Sequence, residues 1–379
     1  MGARARALLL CLLAGATVGT MAAGRPPDFD WQLPPGFPAP HVPADNPMTP
    51  EKARLGRYLF YDTRLSTNGT YSCASCHEQA KAFTDGRAQA VGATGELHPR
   101  GSMSLVNIAY ASALTWANPG LSRLEDQALV PMFGEQPVEL GLTRSGGPWL
   151  ERLRSVAEYK DLFPKAFPAA VDPFTVDDVA RAIASFERTI IAGRSPYDRY
   201  HYDRIEDAIS PAARRGEQLF FSRPMSCFRC HNGFTFSGAV TFEGREAGAV
   251  ELHNTGLYNL AGALSYPPSN AGLYEITRQP QDVGKFKAPT LRNVAITGPY
   301  MHDGSIATLE QVLDHYAAGG RTIADGPYSG VGHDNPNKSP VVRGFAMSTA
   351  DKTDLLAFLT ALTDDTLLHD QRFSNPWER

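Results

Sequence analysis

The chain has 379 residues, of which 42% are hydrophobic and 20% charged, and its formal net charge is −4 at pH 7. This composition excludes an intrinsically disordered protein, and the length favours two domains of ordinary size. The mildly acidic balance gives no basic face for nucleic acid. After the N-terminal segment, no apolar run reaches the roughly 18 residues that a membrane span needs.

The first 23 residues are typical of a secretory signal peptide. Two arginines precede an apolar core over residues 7–19, which is too short to span a bilayer, and the small residues 22–24 offer a cleavage site. Cys11 lies within this core and is expected to be removed with it. The sequence therefore predicts export to the periplasm.

Residues 24–48 form a proline-rich N-terminal arm. A helix is forbidden by Pro34, Pro38, Pro40 and Pro43, so the arm is predicted to lie extended over the surface. A disordered leader is the alternative. Trp31, Leu33 and Phe37 favour an arm that packs onto the rest of the protein.

The start of a helix recurs twice along the chain. Thr49 is followed by proline and an acid, which is the pattern of a capped helix, and Ser210-Pro211 repeats it. A G-x-x-L-F segment follows each start, at Gly56 and at Gly216. We therefore predict two related domains, 49–205 and 206–379.

Two further helices are predicted from apolar residues at helical spacing. Thr175 caps the first, in which Arg181, Glu187 and Arg188 are expected to face outward, and Ser348 caps the second. Strand signals are few, and the glycine-rich segments 84–104, 232–255 and 262–285 are predicted to be long loops. The predicted fold is mainly α, with two domains, long loops and few short strands.

A complete C-x-x-C-H pattern follows each of the repeated helices, at residues 73–77 and 227–231. The pattern is typical of c-type haem attachment, in which the two thiols bond to the haem vinyl groups and the histidine becomes an iron ligand. We therefore assign Cys73, Cys76 and His77 to one haem and Cys227, Cys230 and His231 to the other. A zinc site is the alternative, but it would require both cysteine pairs to converge on one ion and would leave both histidines unexplained. The sequence predicts a dihaem c-type cytochrome with two cytochrome c-like haem domains.

The order of motifs resembles the bacterial dihaem cytochrome c peroxidase and MauG superfamily over most of the chain after the signal. Six segments support the resemblance: L-F-Y-D-x-R-L-S at 59–66, A-F-T-D-G at 82–86, L-E-D-Q-A at 124–128, S-F-E-R-T at 185–189, P-T-L-R-N-V at 289–294 and P-Y-M-H-D-G at 299–304. The resemblance implies that the N-terminal haem reacts with peroxide, and that the C-terminal haem is six-coordinate and exchanges electrons.

The second iron's sixth ligand divides this superfamily. Family peroxidases have a methionine fourteen positions after the histidine of the P-Y-x-H-D-G motif, and the same count from His302 reaches Tyr316. MauG-like enzymes have a tyrosine there, and a phenolate should stabilise high oxidation states of iron, whereas a thioether raises the reduction potential. A merely packed tyrosine is the alternative, and Met301, Met347 and His315 are the rival ligands.

At the first iron the resemblance implies an open distal side. His98 is the histidine of the loop that caps this iron in typical family peroxidases, but it lies only three residues before Gly101, which is too close for that role. We expect His98 to be a solvated loop residue, so that peroxide binds without reductive activation.

The resemblance also assigns the groups that assist peroxide cleavage. P-V-E-L-G at 137–141 matches the family's glutamate segment, so Glu139 is the expected acid/base and Gln127 its distal companion. A two-residue insertion leaves Glu135 as a competitor, and a surface role for Glu139 stays open. Trp116 aligns with the family tryptophan between the haems, the expected electron relay.

The superfamily also holds a calcium ion between the haems. Thr297 and Pro299 retain the positions that supply carbonyl oxygens, whereas Gly101 stands where the family has an asparagine. Asn107 is the possible substitute.

These features together predict an enzyme in which hydrogen peroxide oxidises the first haem. Trp116 is expected to relay the second oxidising equivalent to the Tyr316-ligated haem, which would give a high-valent state shared by the two haems. The arm at 31–38 and the Tyr316 spacing are most similar to the MbnH branch. That resemblance implies conversion of tryptophan to kynurenine on a copper-associated, MbnP-like periplasmic partner. The alternatives are a peroxidase that takes electrons from small cytochromes or cupredoxins, and an electron carrier with both irons six-coordinate.

Overall fold

The computed structural model describes residues 29–245, 248–262 and 264–378, so the predicted signal peptide and the start of the arm lie outside the described residues. Within these ranges the fold is mainly helical, as the sequence predicts. The α-helices are α1 Pro50–Phe60, α2 Leu124–Phe133, α3 Gly147–Ser155, α4 Ala157–Ala166, α5 Val176–Glu187, α6 Pro196–His201, α7 Pro211–Phe220, α8 Tyr274–Thr277, α9 Leu309–Ala317, α10 Thr349–Thr360 and α11 Asp365–His369. None of them is both long and apolar enough to cross a membrane.

Strands are few and short. β1 (Leu252–His253) pairs antiparallel with β2 (Phe286–Lys287), and β3 (Thr322–Ile323) pairs antiparallel with β4 (Gly330–Val331). Helices thus form most of the regular secondary structure, which confirms the predicted mainly α class.

The predicted caps are present at the starts of α1, α5, α7 and α10. In each case a serine or threonine side chain accepts a hydrogen bond from the backbone N–H three residues along, and the capping residues are Thr49, Thr175, Ser210 and Ser348. Each such cap contributes about 1 kcal/mol to helix stability.

The same helix crossing occurs twice, once in each half of the chain. α1 crosses α5 at Gly56, where an added Cβ would lie 1.9 Å from the carbonyl oxygen of Ala182. α7 crosses α10 at Gly216, where an added Cβ would lie 1.9 Å from the carbonyl oxygen of Asp354. Since only glycine allows so close an approach of two backbones, the repeated G-x-x-L-F segments mark equivalent positions in two related helical units.

Buried apolar side chains form four groups within the described residues, three of them larger than the fourth. The first core lies among α1 to α5, and the second core lies among α6, α7, α9 and α10. A central cluster consists of Ala117, Leu257, Tyr258, Tyr266, Val283, Phe286 and Ile306, with Trp116 packed against it. This cluster joins the Trp116 region of the first half to the loops of the second half.

The two chain ends tie these units together. In the arm, Phe37 packs edge-on against Tyr110 and Phe234, at 6.1 and 4.9 Å between ring centroids. The segment from α11 to residue 378 returns to the first core, where the Tyr61 hydroxyl donates to the carbonyl oxygen of Phe373 at 2.6 Å. The boundary near residue 205 stays a prediction.

Candidate haem and peroxide sites

The first C-x-x-C-H segment forms a compact turn that orients its histidine. Cys73–Ser75 is a short 3-10 helix, and the backbone N–H of His77 donates to the carbonyl oxygen of Cys73 at 3.0 Å. The Nδ1 atom of His77 lies 2.8 Å from the carbonyl oxygen of Phe83. With Nδ1–H donating to this carbonyl, Nε2 remains as the nitrogen that can bind a metal.

The second segment repeats this geometry. Cys227–Arg229 is again a 3-10 helix, the N–H of His231 donates to the Cys227 carbonyl at 3.0 Å, and Nδ1 of His231 lies 3.1 Å from the carbonyl oxygen of Phe236. Burial lowers the pKa of His231 to about 4, so its imidazole is neutral at pH 7, as metal ligation requires. Both segments therefore fit haem attachment.

A cavity of about 540 Å³ extends from the second segment toward Trp116. Cys227, Cys230, His231 and Tyr316 line it together with apolar side chains, and its volume lies in the range of cofactor sites. Its lining also includes five cationic residues, which suit the carboxylates of a haem, and one acid, Asp85. The cations are Arg87, Arg223, Arg229, Lys287 and Arg343.

Tyr316 occupies the last turn of α9. Burial raises the pKa of its phenol well above the ordinary value, and the nearby thiols of Cys230 and Cys227 act in the same direction. A phenolate at this position therefore needs a cation beside it, which a haem iron would supply. Among the rivals, Met301 also lines the cavity, whereas His315 is buried outside its lining and Met347 packs on the second core.

Glu139 and Glu135 differ in their surroundings. The side chain of Glu135 is exposed, while Glu139 is partly buried and burial raises its pKa to about 7. The charge of Glu139 also raises the pKa of the Cys73 and Cys76 thiols, so its carboxylate lies within electrostatic reach of the first haem segment. Its burial and raised pKa distinguish Glu139 from Glu135, so Glu139 stays the predicted acid/base.

The backbone around Glu139 is held from two sides. The loop at 90–98 contributes one bond, from the N–H of Ala93 to the Glu139 carbonyl at 2.7 Å. The end of α2 contributes another, because the N–H of Leu140 donates to the Pro131 carbonyl at 2.9 Å. Gln127 lies on the same helix with a partly exposed side chain. The segment of Glu139 is therefore anchored directly to the helix of Gln127.

The end of α5 departs from the predicted orientation. Glu187 and Arg188 were expected to face outward, but they are 5% and 3% exposed, so that prediction is wrong. The reason is that α2 covers them, and Arg188 forms an ion pair with Glu125 at 2.8 Å. Helical spacing identifies one buried face of α5 and gives no sign of this second contact.

Glu187 is a site residue that the sequence reasoning missed. Burial raises its pKa to about 8, its Oε2 has no hydrogen-bond partner, and its charge raises the pKa of the Cys73 thiol. Its position in the S-F-E-R-T segment was the available signal. It is a second protonatable group beside the first haem segment.

Trp116 and His98 have distinct environments. The indole Nε1–H of Trp116 donates to the Gly101 carbonyl at 3.0 Å, and the Trp116 carbonyl accepts from the N–H of Lys287 at 2.8 Å, so Trp116 bridges the two halves. His98 is partly buried and its Nδ1 accepts from the N–H of Arg100 at 3.3 Å. It is thus bonded within its own loop and less solvated than expected.

The predicted calcium ligands are only partly supported by the structure. Thr297 and Pro299 both line the central cavity. The Asn107 side chain instead exchanges two hydrogen bonds of 3.0 Å with the backbone of Ala192, which argues against it as a calcium ligand. In the described part of the chain no group of three or more His, Cys, Asp or Glu forms a metal site, so the zinc alternative is wrong. Calcium stays a prediction.

Two C-x-x-C-H segments, one in each of two related helical units, define a dihaem c-type cytochrome. The family model for the di-haem cytochrome c peroxidases matches residues 50–206. The chain is 35% identical to cytochrome-c peroxidase IdrP1 of Denitromonas iodatirespirans, over 96% of this chain and 94% of that protein. It is 34% identical to methylamine utilization protein MauG of Methylorubrum extorquens, over 85% and 81%.

A solved structure, described as a MauG-like protein associated with microbial copper homeostasis, is also similar. It matches with a TM-score of 0.90 and 44% identity over 92% of this chain and 99% of that one. The chain belongs to the di-haem cytochrome c peroxidase and MauG family. It is a peroxidase-type oxidoreductase whose cofactors are two haems c.

Proposed function

We propose that this protein is a periplasmic oxidoreductase that uses hydrogen peroxide to oxidise a side chain of a partner protein. The MbnH-like features of the sequence favour a tryptophan that is converted to kynurenine. The likeness to a MauG-like protein of copper homeostasis supports a copper-associated, MbnP-like partner.

The proposal rests chiefly on Tyr316. This residue stands where family peroxidases have methionine, and it lines the same cavity as Cys227, Cys230 and His231. An anionic oxygen ligand stabilises oxidised iron, whereas a thioether favours the reduced form. A site that retains oxidising equivalents suits reaction with a protein side chain better than rapid turnover with a donor cytochrome.

When bound, the two haems would store the two oxidising equivalents of one hydrogen peroxide molecule. The carboxylate of Glu139, whose pKa is about 7, can take a proton from the inner peroxide oxygen and return it to the outer oxygen near neutral pH. The amide of Gln127 can donate a hydrogen bond that orients the peroxide. Trp116, which contacts both halves, would pass electrons between the haems.

The test compares two electron sources for the holoprotein. We expect peroxide to convert a tryptophan of an MbnP-like protein to kynurenine, as mass spectrometry of its peptides would show, and reduced cytochrome c to be consumed only slowly. Rapid consumption of cytochrome c without a modified tryptophan would instead support the alternative function, a peroxidase supplied by small redox proteins. Two six-coordinate, low-spin irons and no reaction with peroxide would contradict both and indicate an electron carrier.

A further inference from the structure

A continuous row of six rings leads from the central cavity to the surface. Its inner members, Trp116, His302, Phe286 and Tyr266, line the cavity. The centroid separations along the row are 6.5 Å for Trp116–His302, 3.6 Å for His302–Phe286, 6.5 Å for Phe286–Tyr266, 5.4 Å for Tyr266–Tyr258 and 5.7 Å for Tyr258–Tyr328. Separations of 5.4 to 6.5 Å are typical of interacting aromatic pairs, and the His302 and Phe286 rings stack at 3.6 Å. The row therefore joins the expected electron relay to the outside by packed aromatic groups alone.

Tyr258 has the proton acceptor that a redox-active tyrosine requires. Its hydroxyl donates to Oδ2 of Asp303 at 2.6 Å, and the other oxygen of Asp303 accepts from the N–H of Ser305 at 3.0 Å. Burial and the Asp303 carboxylate raise the pKa of Tyr258 to about 12, so the resting phenol keeps its proton. A phenol that loses an electron becomes strongly acidic, and its proton can then pass to Asp303 within the existing hydrogen bond.

A positive charge beside the Tyr258 ring also favours transfer of the phenolic proton to Asp303. The guanidinium of Arg321 lies 5.0 Å from the centroid of this ring. A positive charge so close opposes an oxidised phenol that retains its proton, because that species is itself a cation. Transfer of the proton to Asp303 removes the repulsion and leaves a neutral radical.

The hydroxyl of Tyr266, unlike that of Tyr258, is not hydrogen-bonded to a base. Its hydroxyl donates to Oδ1 of the buried Asn254 at 3.0 Å and accepts from the N–H of Leu257 at 3.2 Å. An amide oxygen is not a base that can take the phenolic proton. Tyr266 therefore serves as a packed ring through which an electron passes, and Tyr258 as the site that can hold an oxidising equivalent.

Tyr328 forms the outer end of the row. It lies in the loop between β3 and β4 and is 48% exposed. Another exposed apolar residue, Val331, follows three residues later on β4. A partner's side chain can reach Tyr328 without entering the protein.

We propose that Tyr328 is the residue at which the oxidising equivalent leaves this protein, with Tyr258 and Asp303 as the preceding relay. This inference rests on the proposed function. One electron would pass from the partner's tryptophan to Tyr328 and on through Tyr258 and the row to Trp116. The haems that the two C-x-x-C-H segments would hold, once oxidised by peroxide, would be its acceptor. The phenolic proton of Tyr258 passes to Asp303 and returns, so the relay is unchanged after each transfer.

The test maps where the oxidised protein carries a radical. Peroxide-treated holoprotein is allowed to react with a nitroso spin trap without a partner, and mass spectrometry locates the adduct. We expect the adduct on Tyr328, its loss in Tyr328→Phe, and a reduction of roughly tenfold or more in Tyr258→Phe. Two controls should leave it unchanged: Tyr200→Phe, whose ring packs under Arg214, and Trp377→Phe, which belongs to a separate aromatic group with Tyr58 and Tyr159.

Three outcomes would overturn the inference. They are an adduct on Trp377, an adduct that persists elsewhere at full yield in Tyr328→Phe, and the absence of any trapped radical. The partner assay separates this failure from that of the proposed function. Kynurenine formed at the wild-type rate by Tyr328→Phe would refute the exit residue and leave the function standing. A Tyr328 adduct with no oxidised partner tryptophan would refute the function and leave the exit residue standing.

Discussion

Replacing Glu139 by glutamine should abolish the pH dependence of the reaction with peroxide. Burial raises the pKa of Glu139 to about 7, so the carboxylate that accepts the peroxide proton is half formed at pH 7 and only about one tenth formed at pH 6. Because the base is the ionised form, the rate constant should rise with pH through about 7 and level off above about pH 8. An unburied glutamate would already be ionised throughout this range.

The expected loss of rate in Glu139→Gln follows from the proposed role of Glu139 as a general acid–base group. A positioned general acid–base group contributes about 10²- to 10⁴-fold to a rate, so Glu139→Gln should lose a factor in that range and become insensitive to pH. Glu135→Gln is the matched control, because this exposed side chain is four residues away in the same loop. Its rate and pH profile should equal those of the wild type.

Stopped-flow measurement of the first haem's absorbance after mixing with peroxide, from pH 5 to pH 9, tests both variants. Haem content and unfolding midpoints would verify that both remain folded and loaded. If Glu139→Gln kept the wild-type rate and its rise through pH 7, or if only Glu135→Gln lost them, the assignment of Glu139 as the acid/base would be refuted.

Two further predictions concern the second half of the chain. Tyr316→Phe should remove a ligand, so the low-spin ferric EPR signal of the second haem should shift or convert to high spin; an unchanged spectrum would exclude Tyr316 as ligand. Gly216→Ala places a Cβ 1.9 Å from a backbone oxygen of α10, and overpacking of about 1–3 kcal/mol should outweigh the gain of up to about 1 kcal/mol in helix propensity. Urea unfolding should show the loss against Gln218→Ala, an exposed change on the same helix, and equal stability of the two variants would contradict the close crossing.

Local chemistry was predictable from the sequence. Thioether attachment needs only the spacing within C-x-x-C-H, and an N-cap needs only a hydroxyl three residues before a free N–H. The haem segments at 73–77 and 227–231 and the four caps follow from such short-range rules. The G-x-x-L-F repeat predicted two related domains, and the structure shows that both of its glycines lie where two helices cross closely.

Long-range surroundings were not predictable in this way. The spacing from His302 selected Tyr316, but only the folded chain places that side chain in the cavity of the second haem segment. Glu187 is an example of a position that the sequence did not identify. Helical spacing placed this acid on an exposed face, whereas in the folded chain α2 covers it. Burial depends on elements distant in the chain, and a local pattern contains no information about them.

The row of rings from Trp116 to Tyr328 shows most clearly which features the sequence predicts and which only the tertiary structure reveals. The sequence alone predicted the haem-attachment segments, four capped helices and the repeated helix start, because these depend on neighbours within a few residues. The row joins residues that are more than two hundred positions apart, and each ring alone has the ordinary composition of a protein core. Only the tertiary structure decided their order in space, since contact between such distant residues depends on how the loops of the second half fold against Trp116.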